Sequence, residues 1–154
     1  MKKKPKQDQC KVYERNGQLV LAINNEYLLP ENAPVRLTSA QLEELDYEKL
    51  YRAYSARGRK SKVDPRVMFK VMVYGYQCGI YSSRKLEDAC TYRIDFKWLL
   101  GDEKVPDHAT FARFRTGRCA EVVEDLFYQY VKLLEKQGET DHETVFVDET
   151  KLES

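Results

Sequence analysis

The chain has 154 residues, 42% apolar and 12% aromatic, which suits one cored domain with or without a short second segment and excludes a disordered polar tail. Net charge is only +1, but residues 1–118 hold 23 Lys/Arg against 15 Asp/Glu while residues 119–154 hold 3 against 10. A basic front and an acidic back suit a polyanion partner for the front and cation binding at the back, although ordinary solvated helix faces give the same tally.

No run of roughly 18 apolar residues exists, so no membrane span is expected. The lysines at 2, 3, 4 and 6 lead into polar residues, not the apolar centre of a signal peptide. A cytoplasmic location is therefore expected. The cysteines at 10, 78, 90 and 119 form no CxxC pair and no disulfide framework. Cys78, Cys90 and Cys119 sit among apolar residues and are expected to be buried, reduced thiols.

Residues 1–17 read as a flexible basic tail, either solubilising or a DNA-binding arm. Residues 18–29 are apolar but interrupted, and read as a short strand or extended segment ended by Pro30 and Pro34. Thr38 or Ser39 is expected to cap a helix bearing Leu42, Leu45, Leu50, Tyr51 and Tyr54, with a break near Asp46. Residues 55–62 form a basic, Gly-containing loop in which Arg57, Arg59 and Lys60 either touch phosphate or simply face solvent. Asp64 caps the next helix with Pro65 at its first position, where the missing N–H costs nothing. Its buried stripe is expected at Val67, Met68, Val71, Met72 and Tyr74 or Gly75, and Gly79 stops it.

Ser82 or Ser83 caps a helix holding Arg84, Leu86, Ala89 and Cys90, with Glu87 giving only an approximate capping box. A short helix with Ile94, Phe96, Trp98 and Leu99 ends at Gly101, and Asp107 caps another that Gly117 ends. The last long helix runs from about Glu121 to Lys136, with Gly138 as its stop. Residues 144–148 read as a strand.

Short helices joined by tight turns and carrying Trp and Phe inward match a helix-turn-helix plan. In the helix after Pro106, at roughly 100° per residue, Phe111 and Phe114 share one side. Arg113 then projects about 130° away from them and Arg115 about 70° away. Arg113 is thus placed to pair with guanine or clamp phosphate, with Thr110 and His108 near the helix start within reach of phosphate or base edges. An amphipathic helix with ordinary surface arginines fits the same pattern. His108 and His142 have no metal-ligand spacing partner, so zinc is not expected. Asp148 at a strand end could hold Mg²⁺ or Mn²⁺ for phosphodiester chemistry, or be a turn residue. One carboxylate does not make a two-metal site, and Glu149 points to the opposite face of an extended chain.

Several strings together resemble one family: Arg57-Gly-Arg59, Asp64-Pro-Arg66, Lys70-Val-Met-Val-Tyr-Gly-Tyr76, Gly79-Ile-Tyr-Ser-Ser-Arg84, Phe96-Lys-Trp-Leu-Leu-Gly101, Pro106-Asp-His-Ala-Thr-Phe-Ala-Arg-Phe-Arg115 and Val147-Asp-Glu-Thr-Lys151. Over about residues 20–154 the chain resembles the amino-terminal part of bacterial insertion-sequence DDE transposases of the IS1182/IS5-like type. The resemblance implies a mainly α fold: a helical bundle with a helix-turn-helix-like DNA-binding region over 18–138, then a stub strand of an incomplete RNase H-like domain over 139–154. It implies binding to the inverted repeats of double-stranded DNA, with Asp148 as the first catalytic aspartate and Glu149 standing where the family has Gly. Mg²⁺ or Mn²⁺ is expected for the complete enzyme and none for this chain alone, which is expected to be inactive by itself. The alternatives are a helical interaction or inhibitor protein that oligomerises with intact transposase, or one half of a split DDE transposase; the partners expected besides DNA are a second copy of the chain or intact transposase.

Overall fold

Helix caps set most of the boundaries in the computed structural model, which describes residues 24–55, 63–117 and 119–138. Among the described residues the fold is mainly helical, without strands. The order is α1 (Asn25–Leu28), α2 (Pro34–Glu43), α3 (Glu48–Ser55), α4 (Pro65–Gln77), α5 (Ser83–Tyr92), α6 (Ile94–Leu100), α7 (His108–Thr116) and α8 (Ala120–Lys136). The tail at 1–17, the basic loop residues Arg57, Arg59 and Lys60, and the expected strand with Asp148 lie outside the described residues.

Asp64, Ser82 and Asp107 cap α4, α5 and α7 by accepting from the backbone N–H of Arg66, Lys85 and Thr110, satisfying donors that a helix start leaves open. At the other end of α4 the chain closes a Schellman turn. Gly79 takes φ +75°, its N–H reaches the Tyr76 carbonyl, and Ile80 N–H reaches the Gly75 carbonyl at 2.8 Å.

Two local expectations are corrected. The described end of the 18–29 segment is not extended: Asn25–Leu28 make one helical turn, because Asn24 caps it through Glu26 N–H. Arg36 then fastens that turn, bonding the carbonyls of Glu26, Leu29 and Pro30 and pairing with the Glu26 carboxylate. Nor does the second helix begin at Thr38 or Ser39. It begins at Pro34, whose fixed φ suits a first helical position, and Thr38 lies buried inside it. The expected break near Asp46 is present, between α2 and α3.

α4 is the axis of the fold. Every residue from Met68 through Gly75 is buried, so its apolar surface runs all the way round instead of forming a stripe. It packs against α2, α3, α6 and α7, while α8 packs on α2, α3 and α7. Gly75 permits close approach of α5: a Cβ there would stand 2.7 Å from Leu86 Cδ1. Cys90 and Cys119 are buried and Cys78 half-buried, all free thiols. Burial, and then the Glu87 charge, pushes the Cys90 thiol up to about 12.

Two polar assemblies cross this core. Thr38 Oγ1 bonds Gln77 Oε1 at 2.7 Å, Gln77 Nε2 bonds the Tyr130 hydroxyl at 2.7 Å, and Tyr130 bonds Gln41 Oε1 at 3.3 Å. Gln41 Nε2 continues to Gln137 Oε1 at 2.9 Å, so the chain of bonds joins α2, α4 and the end of α8. The second assembly is Lys70, whose side chain is 8% exposed and pairs with Glu43, 46% exposed, with Ser39 Oγ at 3.3 Å.

A buried charge is costly mainly when it loses its partner. Lys70→Met should therefore be neutral or stabilising. Glu43→Ala should cost about 1–2 kcal/mol, below the full buried-pair figure because Glu43 is half in water. Urea midpoints of the two variants and of the double variant check this. A larger loss from Lys70→Met than from Glu43→Ala would contradict it.

Candidate functional site

α7 is a nine-residue helix seated on two rings, Phe111 at 0% and Phe114 at 3% exposure. A helix this short has little stability of its own, so the seat and the cap define its position. Asp107 Oδ1 accepts from Thr110 N–H at 2.7 Å. Hydrogen bonds from the Thr110 side chain and backbone hold the Asp107 carboxyl below the usual carboxylate range. The exposed residues are His108, Ala109, Ala112, Arg113 and Thr116. At about 100° per residue they fill one sector of about 140°. Most of that sector is small side chains, so a partner can come close to the helix, and Arg113 is the long cation on it.

α5 packs beside α7. His108 Nδ1 lies 2.9 Å from Glu87 Oε2, and His108 N–H donates to the same oxygen at 2.8 Å. A carboxylate only accepts, so His108 Nδ1 is the donor in this contact. At the opposite end of α7, Arg115 Nη1 donates to the Tyr81 carbonyl at 2.9 Å. These two contacts bracket the helix. On α5, Arg84 and Lys85 are exposed within a first turn that holds no acidic residue, and Asp88 shares the Arg84 stripe one turn on.

The two arginines of α7 have different surroundings. Arg113 is exposed, while Arg115 is half-buried with its guanidinium 5.3 Å above the Tyr76 ring. Among the described residues, no acceptor meets the buried Arg115 Nε and Nη2. Burial raises the Tyr76 phenol above its ordinary value, and Arg115 works against that rise. Arg115 thus braces α7 on the turn between α4 and α5. Thr110 is half-buried at the edge of the outer sector, its backbone N–H taken by the cap.

The structure therefore sets His108 and Arg115 on the side of α7 that meets Glu87 and Tyr81, with Thr110 and Arg113 farther round the same helix and Arg84 on the neighbouring α5. Arg57, Arg59, Lys60 and Asp148 lie outside the described residues. Sequence reasoning missed Glu87 as the partner of His108, and missed Tyr81. The sequence pattern offers Glu87 only as an approximate capping residue, and its side chain turns to α7 instead. The signal for Tyr81 was its place directly after a Gly-closed helix end and before a Ser cap, a point where the backbone is fixed from both sides.

The helix-turn-helix pattern expects Trp98 as an inward ring. It is half-buried, and its Nε1–H donates to Glu26 Oε2 at 2.6 Å while Arg36 lies 5.2 Å over it. It joins α6 to α1 and stands apart from the α5–α7 surface. Among the described residues no helix is long and apolar enough to cross a membrane.

Residues 24–117, from the cap of α1 to the glycine that ends α7, match the family model described as Transposase domain (DUF772). No curated protein and no solved structure matches the chain.

Proposed function

The chain belongs to the transposase-domain family DUF772, and from that premise we propose that its α5–α7 surface binds double-stranded DNA at the terminal inverted repeats of a mobile element. The observation that carries this reading is the outer face of α7: small side chains around an exposed Arg113, set firmly on Phe111 and Phe114. Such a face can enter a major groove, where an arginine makes a bidentate pair with guanine. Arg84 and Lys85 on α5 lie where phosphates would flank that groove, in the manner of a helix-turn-helix pair. The His108–Glu87 contact limits what His108 can offer, since Nδ1 is already engaged.

The test is a binding titration on the inverted repeat and on random duplex, at several salt concentrations. Arg113→Ala is expected to weaken repeat binding by about 1–3 kcal/mol and to narrow the gap to random DNA. Arg84→Ala should weaken both about equally and lower the salt slope by about one. Unchanged affinity on both duplexes in Arg113→Ala would remove that residue from the interface. A wild-type chain that binds neither duplex would sink the reading.

A second reading, a protein partner such as a second copy or an intact transposase, is favoured by exposed apolar side chains on packed elements. Leu28 of α1, Leu37 of α2 and Ile94 of α6 are 47%, 56% and 45% exposed. Both α1 and α2 pack on α6. Light scattering across a concentration series separates this reading from the first, because DNA contact by Arg113 does not need that patch.

A further inference from the structure

Tyr81 is an exposed aromatic residue that is nevertheless held in place. Its ring is 58% exposed and stacks on Tyr76, with centroids 5.8 Å apart and planes 27° apart. Tyr76 stacks in turn on Phe127 at 5.6 Å and 28°, and Phe127 meets the fully buried Phe69 edge-on at 5.1 Å. These ring contacts link Tyr81 through Tyr76 and Phe127 to the core of α4 and α8, with the Arg115 guanidinium also over Tyr76. The backbone of Tyr81 is fixed as well. The Schellman turn precedes it, Ser82 caps α5 after it, and Arg115 of α7 bonds its carbonyl at 2.9 Å.

Tyr76 stacks on the Tyr81 ring, and more than half of the residue stays open to solvent. A flat ring held in this way accepts one more flat ring at little entropic cost, because its own motion is already restricted. Its neighbours suit nucleic acid. Arg84 lies three residues on, and the exposed sector of α7 begins at the far end of the same bracket. Base–aromatic stacking tolerates any base, since every base has a π face.

We propose that Tyr81 is a stacking platform for one unpaired nucleobase at the margin of the DNA bound by α7, so that the surface prefers a DNA end with a splayed nucleotide over a fully paired duplex. The inference rests on the DNA-binding reading above and adds to it a contact of different chemistry. The base would stack on the Tyr81 ring, while the arginines hold the backbone.

The experiment is a competition between a blunt duplex and the same duplex with one overhanging nucleotide, using the full chain and its Tyr81→Phe, Tyr81→Trp and Tyr81→Leu variants. The wild type is expected to prefer the overhang by about tenfold. Phe and Trp should keep that preference, and Leu should abolish it by weakening overhang binding about tenfold more than blunt-duplex binding. No overhang preference in the wild type, or one that survives in Tyr81→Leu, overturns the proposal. Equal weakening on both duplexes in Tyr81→Leu also overturns it, because the ring would then serve only to orient α7. A wild type that binds neither duplex fails the DNA reading itself and takes this proposal with it.

Discussion

Phe111→Ala is expected to lower the free energy of unfolding by about 3–5 kcal/mol, the cost of emptying a fully buried aromatic site. Phe111 has no exposed surface and is one of the two rings on which α7 sits. Single domains are stable by only about 5–15 kcal/mol, so this one substitution removes about a fifth or more of the total. Truncation also leaves α7 with Phe114 alone. That ring lies 6.2 Å from the half-buried Tyr54 of α3. The check is the urea midpoint with an unchanged m-value. A loss below about 1 kcal/mol would mean that the site collapses around the missing ring and that α7 is seated some other way.

Gly117→Ala is the second large effect, and it comes from backbone geometry instead of lost burial. A Cβ at Gly117 would stand 2.3 Å from the carbonyl oxygen of Arg113. The obstacle is main chain, and Gly117 N–H already bonds that same oxygen at 2.7 Å. No side chain can swing aside to make room. The last turn of α7 must open, at a cost of about 2–3 kcal/mol by analogy with overpacked sites. That turn carries Arg113 and Arg115, so DNA affinity is expected to fall by about tenfold or more with every charge retained. Melting temperature and a DNA titration on the same sample read both effects. Wild-type stability together with wild-type DNA affinity would show that the turn is not set as described.

The local punctuation of the fold was legible because it depends on single residues. Asp64-Pro65, Gly79, Gly101, Asp107 and Gly117 each mark a boundary through a cap, a fixed φ or a positive φ, and each boundary is where that chemistry puts it. Pro34 misled because proline ends one segment and opens another with equal ease, and only tertiary burial of Thr38 shows which applies. The α4 stripe was under-read for a similar reason. Periodicity finds one apolar face, but a helix surrounded by α2, α3, α6 and α7 needs apolar residues on all of them.

At the site, the outward Arg113 followed from helical spacing alone, since Phe111 and Phe114 fix which side faces in. The bracketing contacts did not follow. Glu87 with His108, and Arg115 with Tyr81, span 21 and 34 residues of chain. No local rule ties such positions together. The same limit applied to Tyr76 and Phe127, far apart in the sequence and face to face in the structure.

The run of hydrogen bonds from Thr38 through Gln77, Tyr130 and Gln41 to Gln137 has one more consequence. An apolar seam lets a helix slip along its axis at little cost, whereas bonds of 2.7–3.3 Å do not survive a shift of one residue, about 1.5 Å. α8 is therefore indexed against α2 and α4, as a key is cut to its lock. The end of α8 is thereby held in one register relative to the helices that carry α5 and α7.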